Sequence, residues 1–280
     1  MLHVVGTPIG NLEDITYRAV RTLREADLIA CEDTRQTRKL LDHYGITAKA
    51  VSYHEHNEAA RARELLEKLR EGANVAQVSD AGMPGISDPG YRLIHLAIEE
   101  GISVIPVPGP SALITALVGA GLPTDEFEFR GFLPAKSGQR RTALEEMRGA
   151  ERTVVVYEAP HRIREALEDI VAVLGPETPV VIARELTKVH EEFLRGTAAE
   201  ILAQIKTREL KGEITLLIGK SAEGRQAPAE QDLGARLQEI MREQKLDEKG
   251  ALKVLARERG ISRSEAYREV QRAAARGPRR

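Results

Sequence analysis

Between residues 2 and 120 the chain alternates short apolar runs with amphipathic stretches, and this alternation restricts the fold more than any other feature. "LHVVG" precedes "TYRAVRTLREA", "DLIACE" precedes "TRQTRKLLDHY", and "AVSY" precedes "NEAARARELLEKLREG". "NVAQVS" and "SVIPVP" are each followed in the same way, by the stretch from Tyr91 and by "SALITALVGAG". The short runs are near-continuous in Val, Ile, Leu and Ala, whereas the stretches between them carry apolar residues at helical spacing. Strand and helix in strict succession predict an α/β domain with a largely parallel sheet, since a parallel neighbour requires a crossover long enough to hold a helix. Helices on both faces of such a sheet explain strands without polar alternation. Asn57 is expected to N-cap the third helix.

A second block begins near Leu122. "EFEFRGFL", "TVVVYE", "PVVIARE" and "EITLLIG" read as strands, separated by "QRRTALEEMRG", "HRIREALEDIVAVLG" and "TAAEILAQIK" as helices, with "TKVHEEFLRG" as a hairpin arm. The expected organisation is an N-terminal α/β domain over 1–120, a second α/β domain over 121–220, a linker over 221–231 and a helical extension over 232–280. "KSAEGRQAPAEQ" has the composition of a linker. Beyond it two helical patterns joined at "GIS" have the helix–turn–helix rhythm, with Gly260 at the turn and Ser262 as an N-cap.

Composition narrows the chemistry. A single cysteine, Cys31, excludes an intramolecular disulfide and argues against a zinc cluster. The start lacks a basic region followed by a long apolar one, and no run approaches a membrane span, so a soluble cytoplasmic protein is expected. Aromatic residues make up only 4% of the chain, so nucleic-acid binding cannot rest on a rich stacking platform. Charge is divided unevenly: from Pro228 to Arg280 there are 13 Lys and Arg against 9 Asp and Glu, while residues 1–227 carry 28 against 34. A basic tail on an acidic body suggests an anionic partner.

Glycines gather where strands end: Gly6 and Gly10 after the first, Gly82, Gly85 and Gly90 after the fourth, Gly109 after the fifth. Ligands of open parallel sheets sit at the carboxyl ends of strands, and glycine there lets backbone approach a ligand. The stretch "SDAGMPGISDPG", residues 79–90, is about twice the usual length of a strand-to-helix connection. Familiar nucleotide signatures do not fit: "GTPIGN" is not G-x-G-x-x-G, and "GKS" at 219–221 has Ile214 where a P-loop needs glycine. His54 and His56 lack a third metal ligand nearby in sequence.

Seven motifs occur in order: "VGTPIGNLEDIT", "CEDTRQTRKLL", "SDAGMPGISDPG", "VPGPSA", "YEAPHR", "ARELTKVHEE" and "GEITLL". Together they resemble the tetrapyrrole-methylase-like class of S-adenosylmethionine methyltransferases, and within it the branch that acts on ribosomal RNA. The resemblance covers about residues 1–220. It implies two α/β domains with the cofactor cleft between them. It also implies S-adenosylmethionine as cofactor, 16S rRNA within the small ribosomal subunit as partner, a homodimer and no membrane association. The reaction it implies is 2′-O-methylation of a cytidine, C1402, in the decoding region. For the cofactor it points to Pro8, Asp80, Ala81, Gly82, Met83, Ser111, Ala112, Tyr157, Leu186 and Ile214. Tetrapyrrole relatives typically show Gly-Asp-Pro where this chain has Ser79-Asp80-Ala81, which favours the rRNA branch.

Transfer from a sulfonium to a ribose hydroxyl needs positioning and a group to take the hydroxyl proton. His161, Glu158 and Glu185 are the first candidates for that base. Glu32, Asp33, Arg35, Arg38 and Arg162 are candidates to meet the RNA, and so are Arg263, Arg268 and Arg272 of the basic tail. Two other readings stay open: a C-methyltransferase of a tetrapyrrole precursor, disfavoured by the basic tail and by Ala81, and a non-catalytic ribosome- or RNA-binding protein on the same fold.

Overall fold

The computed structural model describes residues 1–220 and, beyond them, residues 237, 238, 240–242, 246–259, 266, 267 and 270. The expected linker, the turn at Gly260 with Ser262, and Arg263, Arg268 and Arg272 lie outside the described residues. The chain divides into two compact units, Met1–Gly224 and Arg225–Arg280.

In the first unit the opening sheet comprises β1 (Leu2–Val5), β2 (Leu28–Cys31), β3 (Ala50–Ser52), β4 (Val75–Gln77) and β5 (Val104–Val107). All five are parallel, in the order β3-β2-β4-β1-β5, with Leu2 level with Val75 on one side and Val104 on the other. Between them run α1 (Tyr17–Glu25), α2 (Thr34–His43), α3 (Glu58–Arg70) and α4 (Tyr91–Glu99). The steps from β1 to β2 to β3 move toward one edge, and those from β3 to β4 to β5 move back. Right-handed crossovers therefore place α1 and α2 on one face and α3 and α4 on the other. The core divides accordingly: Leu23 and Leu41 pack with Val5, Ile29 and Cys31, whereas Leu65 and Leu93 pack with Leu2, Leu28 and Ala30. Asn57 does precede α3, but its side chain makes no capping bond. Its carbonyl oxygen accepts from the His54 amide at 2.9 Å and its amide faces Ser52, closing the turn before the helix instead.

The second sheet contains β6 (Phe127–Phe132), β7 (Thr153–Glu158), β8 (Pro179–Arg184), β9 (Glu192–Thr197) and β10 (Ile214–Ile218), in the order β6-β7-β10-β8-β9. Only β6 and β7 are parallel; β9 is the hairpin arm expected over 187–196, paired antiparallel with β8. Period-two alternation puts successive residues on opposite faces. Val154, Val156, Ile182 and Leu216 meet α7 (Ile163–Leu174) and α8 (Ala198–Ile205), while Val155, Val181 and Leu217 meet α5 (Ala112–Ala120). Thus α5, which leaves the first sheet, is the helix on which the second sheet is built. Beside α7, α6 (Ser137–Glu145) is anchored through Arg140, whose Nε donates to Asp169 at 2.7 Å with both side chains buried. In the other unit α9 (Glu248–Arg259) contributes Ala251, Leu252 and Leu255 to a small core with Leu237 and Ile240.

Candidate functional site

The carboxyl ends of β1, β4 and β5 come together because two glycines let their backbones touch. A Cβ on Gly6 would lie 2.8 Å from the Gly109 Cα, and one on Gly109 would lie 2.8 Å from the Gly6 Cα. The long connection after β4 is tied to this point. Thr7 and Gly82 exchange backbone hydrogen bonds of 2.9 and 3.0 Å, and the buried Thr7 hydroxyl donates to the Ser79 carbonyl at 3.1 Å. Gly82 has φ +82°, a left-handed conformation that a side chain would oppose. Ser87, farther along the loop, holds φ +60° despite its side chain. Non-glycine residues in that region persist where surrounding structure over-determines them, often at ligand sites.

Between this loop and the second sheet lies a cavity of about 390 Å³, within the range of small-molecule sites. The first sheet contributes Ile9, Ala81–Met83, Ile86–Asp88 and, at the start of α5, Ser111 and Ala112. The second contributes Phe132, Tyr157–Pro160, Ala183, Leu186 and Gly212–Thr215. The wall is mainly apolar, with Asp88, Glu158 and Glu213 as its carboxylates. Of the residues expected around a cofactor, Ala81, Gly82, Met83, Ser111, Ala112, Tyr157, Leu186 and Ile214 line the cavity. Pro8 and Asp80 do not; their neighbours Ile9 and Ala81 take those places. Asp80 turns away, and its Oδ1 accepts from the Asp33 amide at 3.0 Å. Pro8 and Asp80 both stand three residues beyond the ends of their strands, where the course of the loop and not the strand period decides which way a side chain turns.

The three base candidates fall in different surroundings. Glu158 is buried at the cavity edge, where burial raises its pKa, and it accepts from the Ala159 amide and pairs with Arg162 at 3.2 Å. His161 is exposed and outside the cavity lining. Glu185 also lies outside it; a hydrogen bond from Lys188 at 2.8 Å holds its carboxyl below the usual range. Arg162 points inward, donating to the Leu133 carbonyl at 2.6 Å. Arg35 is exposed and grips Asp33, whose pKa it lowers to about 2, while Arg38 lies 3.9 Å from Asp42. Burial raises the pKa of Glu32.

Asp88 is the residue that reading the sequence did not single out, although it stands in the quoted loop. Burial, reinforced by the charges of Glu32 and Asp80, raises its pKa to about 6. Asp88 and Ser87 also border a second cleft of about 670 Å³, formed with α3 and the start of α4. Only the folded loop shows that one carboxylate faces two spaces.

The family model for tetrapyrrole (corrin/porphyrin) methylases matches residues 1–202. A protein of Halalkalibacterium halodurans named ribosomal RNA small subunit methyltransferase I is 54% identical over 222 residues, which is 79% of this chain and 76% of that protein. A protein of the same name from Synechocystis is 47% identical over 95% of this chain and 96% of its own length. Among solved structures, uroporphyrin-III C-methyltransferase from Thermus thermophilus, complexed with S-adenyl homocysteine, superposes with a TM-score of 0.56 at 20% identity, covering 79% of this chain and 98% of that one. The methyltransferase CobJ gives a TM-score of 0.60 at 20% identity, over 79% and 94% of the two chains. At that identity the likeness shows the shared fold; the sequence matches carry the kinship. The chain belongs to the tetrapyrrole methylase family of methyltransferases, in the branch whose members bear the name ribosomal RNA small subunit methyltransferase I.

Proposed function

We propose that this methyltransferase uses S-adenosylmethionine to methylate the ribose 2′-oxygen of a cytidine in the 16S rRNA of the small ribosomal subunit. The observation that carries the reading is the cavity between the loop of residues 79–90 and the second sheet, in a chain whose relatives bear an rRNA methyltransferase name. Its residues fit the cofactor. Ile9, Met83, Ala183, Leu186 and Ile214 offer an apolar slot of the kind an adenine ring fills, and Asp88 and Glu158 offer negative charge to an amino or sulfonium group. Gly82 in the wall allows a ligand to lie against backbone, and the contact between Gly6 and Gly109 holds the strand exits together beside it.

When bound, S-adenosylmethionine supplies a methyl group on a positively charged sulfur with a neutral leaving group. The protein's part is then to orient the acceptor, exclude water and take one proton. The apolar wall keeps water from the reacting centre. Among the candidates quoted from the motifs, Glu158 is the one that lines the cavity, though its oxygens already serve Ala159 and Arg162. The homodimer implied by the resemblance would find apolar surface to cover at Ile114 and Val118, both exposed on α5. Among the described residues no helix is long and apolar enough to cross a membrane.

The test is methyl transfer from labelled S-adenosylmethionine to small subunits lacking the modification, with uroporphyrinogen as the competing acceptor. Labelled rRNA that resists alkaline cleavage at one cytidine is the expected product, because that cleavage needs a free 2′-hydroxyl. Label in uroporphyrinogen alone would assign the chain to tetrapyrrole chemistry. Label in rRNA that still cleaves at every cytidine would move the methyl group to a base.

A further inference from the structure

We propose that the cleft bordered by α3 and the start of α4 is the pocket of the acceptor nucleotide, and that Asp88, which borders both this cleft and the cofactor cavity, takes the proton of the 2′-hydroxyl. The proposal rests on the RNA reading above and names where in this chain the acceptor is held.

The cleft adjoins the cavity through Ser87 and Asp88. On its far side Tyr91 and His95, one helical turn apart on α4, stack with ring centroids 5.5 Å apart and planes within 9°. Tyr91 is 72% exposed, so it still has an open face. A base drawn out of an RNA strand is held by stacking of this kind, and one ring suffices for one base. In a chain with 4% aromatic residues such a site needs a reason to exist. Two arginines border the same space. Arg92 stands 3.7 Å from Glu58, and Arg63 makes no ion pair among the described residues, so it is available to a phosphate. The wall itself is built rather than loose. Glu58 accepts from the Tyr53 hydroxyl at 3.1 Å and from the Gly90 amide at 3.3 Å, and the same hydroxyl accepts from the Leu93 amide at 3.2 Å. These bonds fasten the end of the loop and the first turn of α4 to α3.

Of the two residues that the spaces share, Ser87 and Asp88, Asp88 is the one with a carboxylate to take a proton. As the oxygen–methyl bond forms, the methyl–sulfur bond breaks with its electron pair kept by sulfur, and one proton leaves the hydroxyl. The sulfonium charge vanishes, and a carboxylate that becomes a carboxylic acid closes the balance of charge. Asp88 is suited to that exchange. Burial disfavours its ionised form, and the charges of Glu32, after β2, and Asp80, after β4, add to this, so its pKa of about 6 lies close to neutrality. Ser79, whose hydroxyl is within reach, pulls the other way. On the cavity side Tyr157, Glu158 and Glu213 face the same region. On the cleft side stand Glu55, Glu58, His95 and the two arginines. The variant at Asp88 decides whether this carboxylate sets the pH profile.

The experiment uses the full chain, small subunits lacking the methyl group, and S-adenosylhomocysteine as a calorimetric probe of the folded cavity. Asp88→Asn is expected to lower the single-turnover rate at saturating cofactor and subunit by about 100-fold or more, and to abolish the rise in rate as pH passes about 6. Tyr91→Ala is expected to weaken subunit binding, read by filter retention, by about fivefold or more, with S-adenosylhomocysteine affinity unchanged. Tyr91→Phe, which keeps the ring, should recover most of that loss. An Asp88→Asn enzyme with the parent's rate or the parent's acid limb overturns the role of Asp88. A Tyr91→Ala enzyme with the parent's subunit affinity overturns the pocket. A parent enzyme that leaves the subunit unmethylated overturns the RNA reading and this proposal with it, whereas a parent that methylates while both variants match it overturns this proposal alone.

Discussion

At the scale of single residues, the raised pKa of Asp88 has a thermodynamic consequence separate from catalysis. A carboxyl whose pKa rises from 3.8 to about 6 on folding binds its proton more tightly in the native state. Stability contributed by that tighter proton is present below the unfolded value and is lost as pH rises through the folded one. Asp88→Asn should therefore raise the melting temperature at pH 8, and the gain should shrink as pH falls through about 6 and vanish only below 3.8, where the aspartate is neutral in both the folded and the unfolded chain; thermal scans at pH 8 and about pH 3 check this. A fall in melting temperature at pH 8 would mean that Asp88 contributes structure its amide cannot supply. Gly109 makes the opposite case, of a residue fixed by packing. Gly109→Ala places a methyl 2.8 Å from the Gly6 Cα and 2.9 Å from its carbonyl oxygen. The exits of β1 and β5 must then part, at a cost of about 1–3 kcal/mol, and S-adenosylhomocysteine binding should weaken in calorimetry. Affinity equal to the parent's would show the contact to be yielding.

Elements are held by a few polar anchors as well as by apolar faces. Asp169 of α7 receives Arg140 and Arg141 of α6 at 2.7 and 2.6 Å, and the Ser137 hydroxyl at 3.0 Å. Arg140 is 1% exposed. Asp169→Ala would leave that guanidinium buried without its main partner, which costs about 3–5 kcal/mol. Urea denaturation should report a loss of that order, while Arg141→Ala, at the exposed end of the network, should cost well under half as much. The loop after β4 is an element in the same sense. Its bridge between Thr7 and Gly82 and the Thr7 hydroxyl bond to Ser79 preset the cavity wall. Thr7→Val removes the hydroxyl and leaves a buried carbonyl with one bond fewer, so stability should fall by about 1–2 kcal/mol. Denaturant titration measures that loss, and an unchanged midpoint would mean that the backbone bridge alone secures the loop.

For the molecule as a whole, charge divides it between a basic tail and an acidic body. Truncation after Ala227 should leave S-adenosylhomocysteine affinity intact, because every cavity residue precedes it. It should weaken binding to the subunit and flatten its salt dependence. If about three to five basic side chains meet phosphates at once, the log–log slope falls by nearly that number. An unchanged slope with full methylation would leave RNA binding to the body, where Arg35, Arg38, Arg63 and Arg92 are the exposed cations to replace next.

The order of strands and helices, the parallel first sheet and the glycine-marked exits followed from the sequence, because side-chain period and the conformations open to glycine are local properties. Eight of the ten residues expected around the cofactor from the motifs do line the cavity, since those motifs lie at strand ends. Pro8 and Asp80 fell outside it, and the folded loop turns the Asp80 carboxylate to the Asp33 amide instead. The capping expected of Asn57 failed for a local reason, because the turn from Ser52 to Asn57 claimed its side chain first. The sharing of Asp88 between two spaces, and the approach of Gly6 to Gly109 across more than 100 residues of chain, belong to the folded molecule. Burial and proximity set a carboxylate's pKa, and both arise only when distant segments of the chain meet.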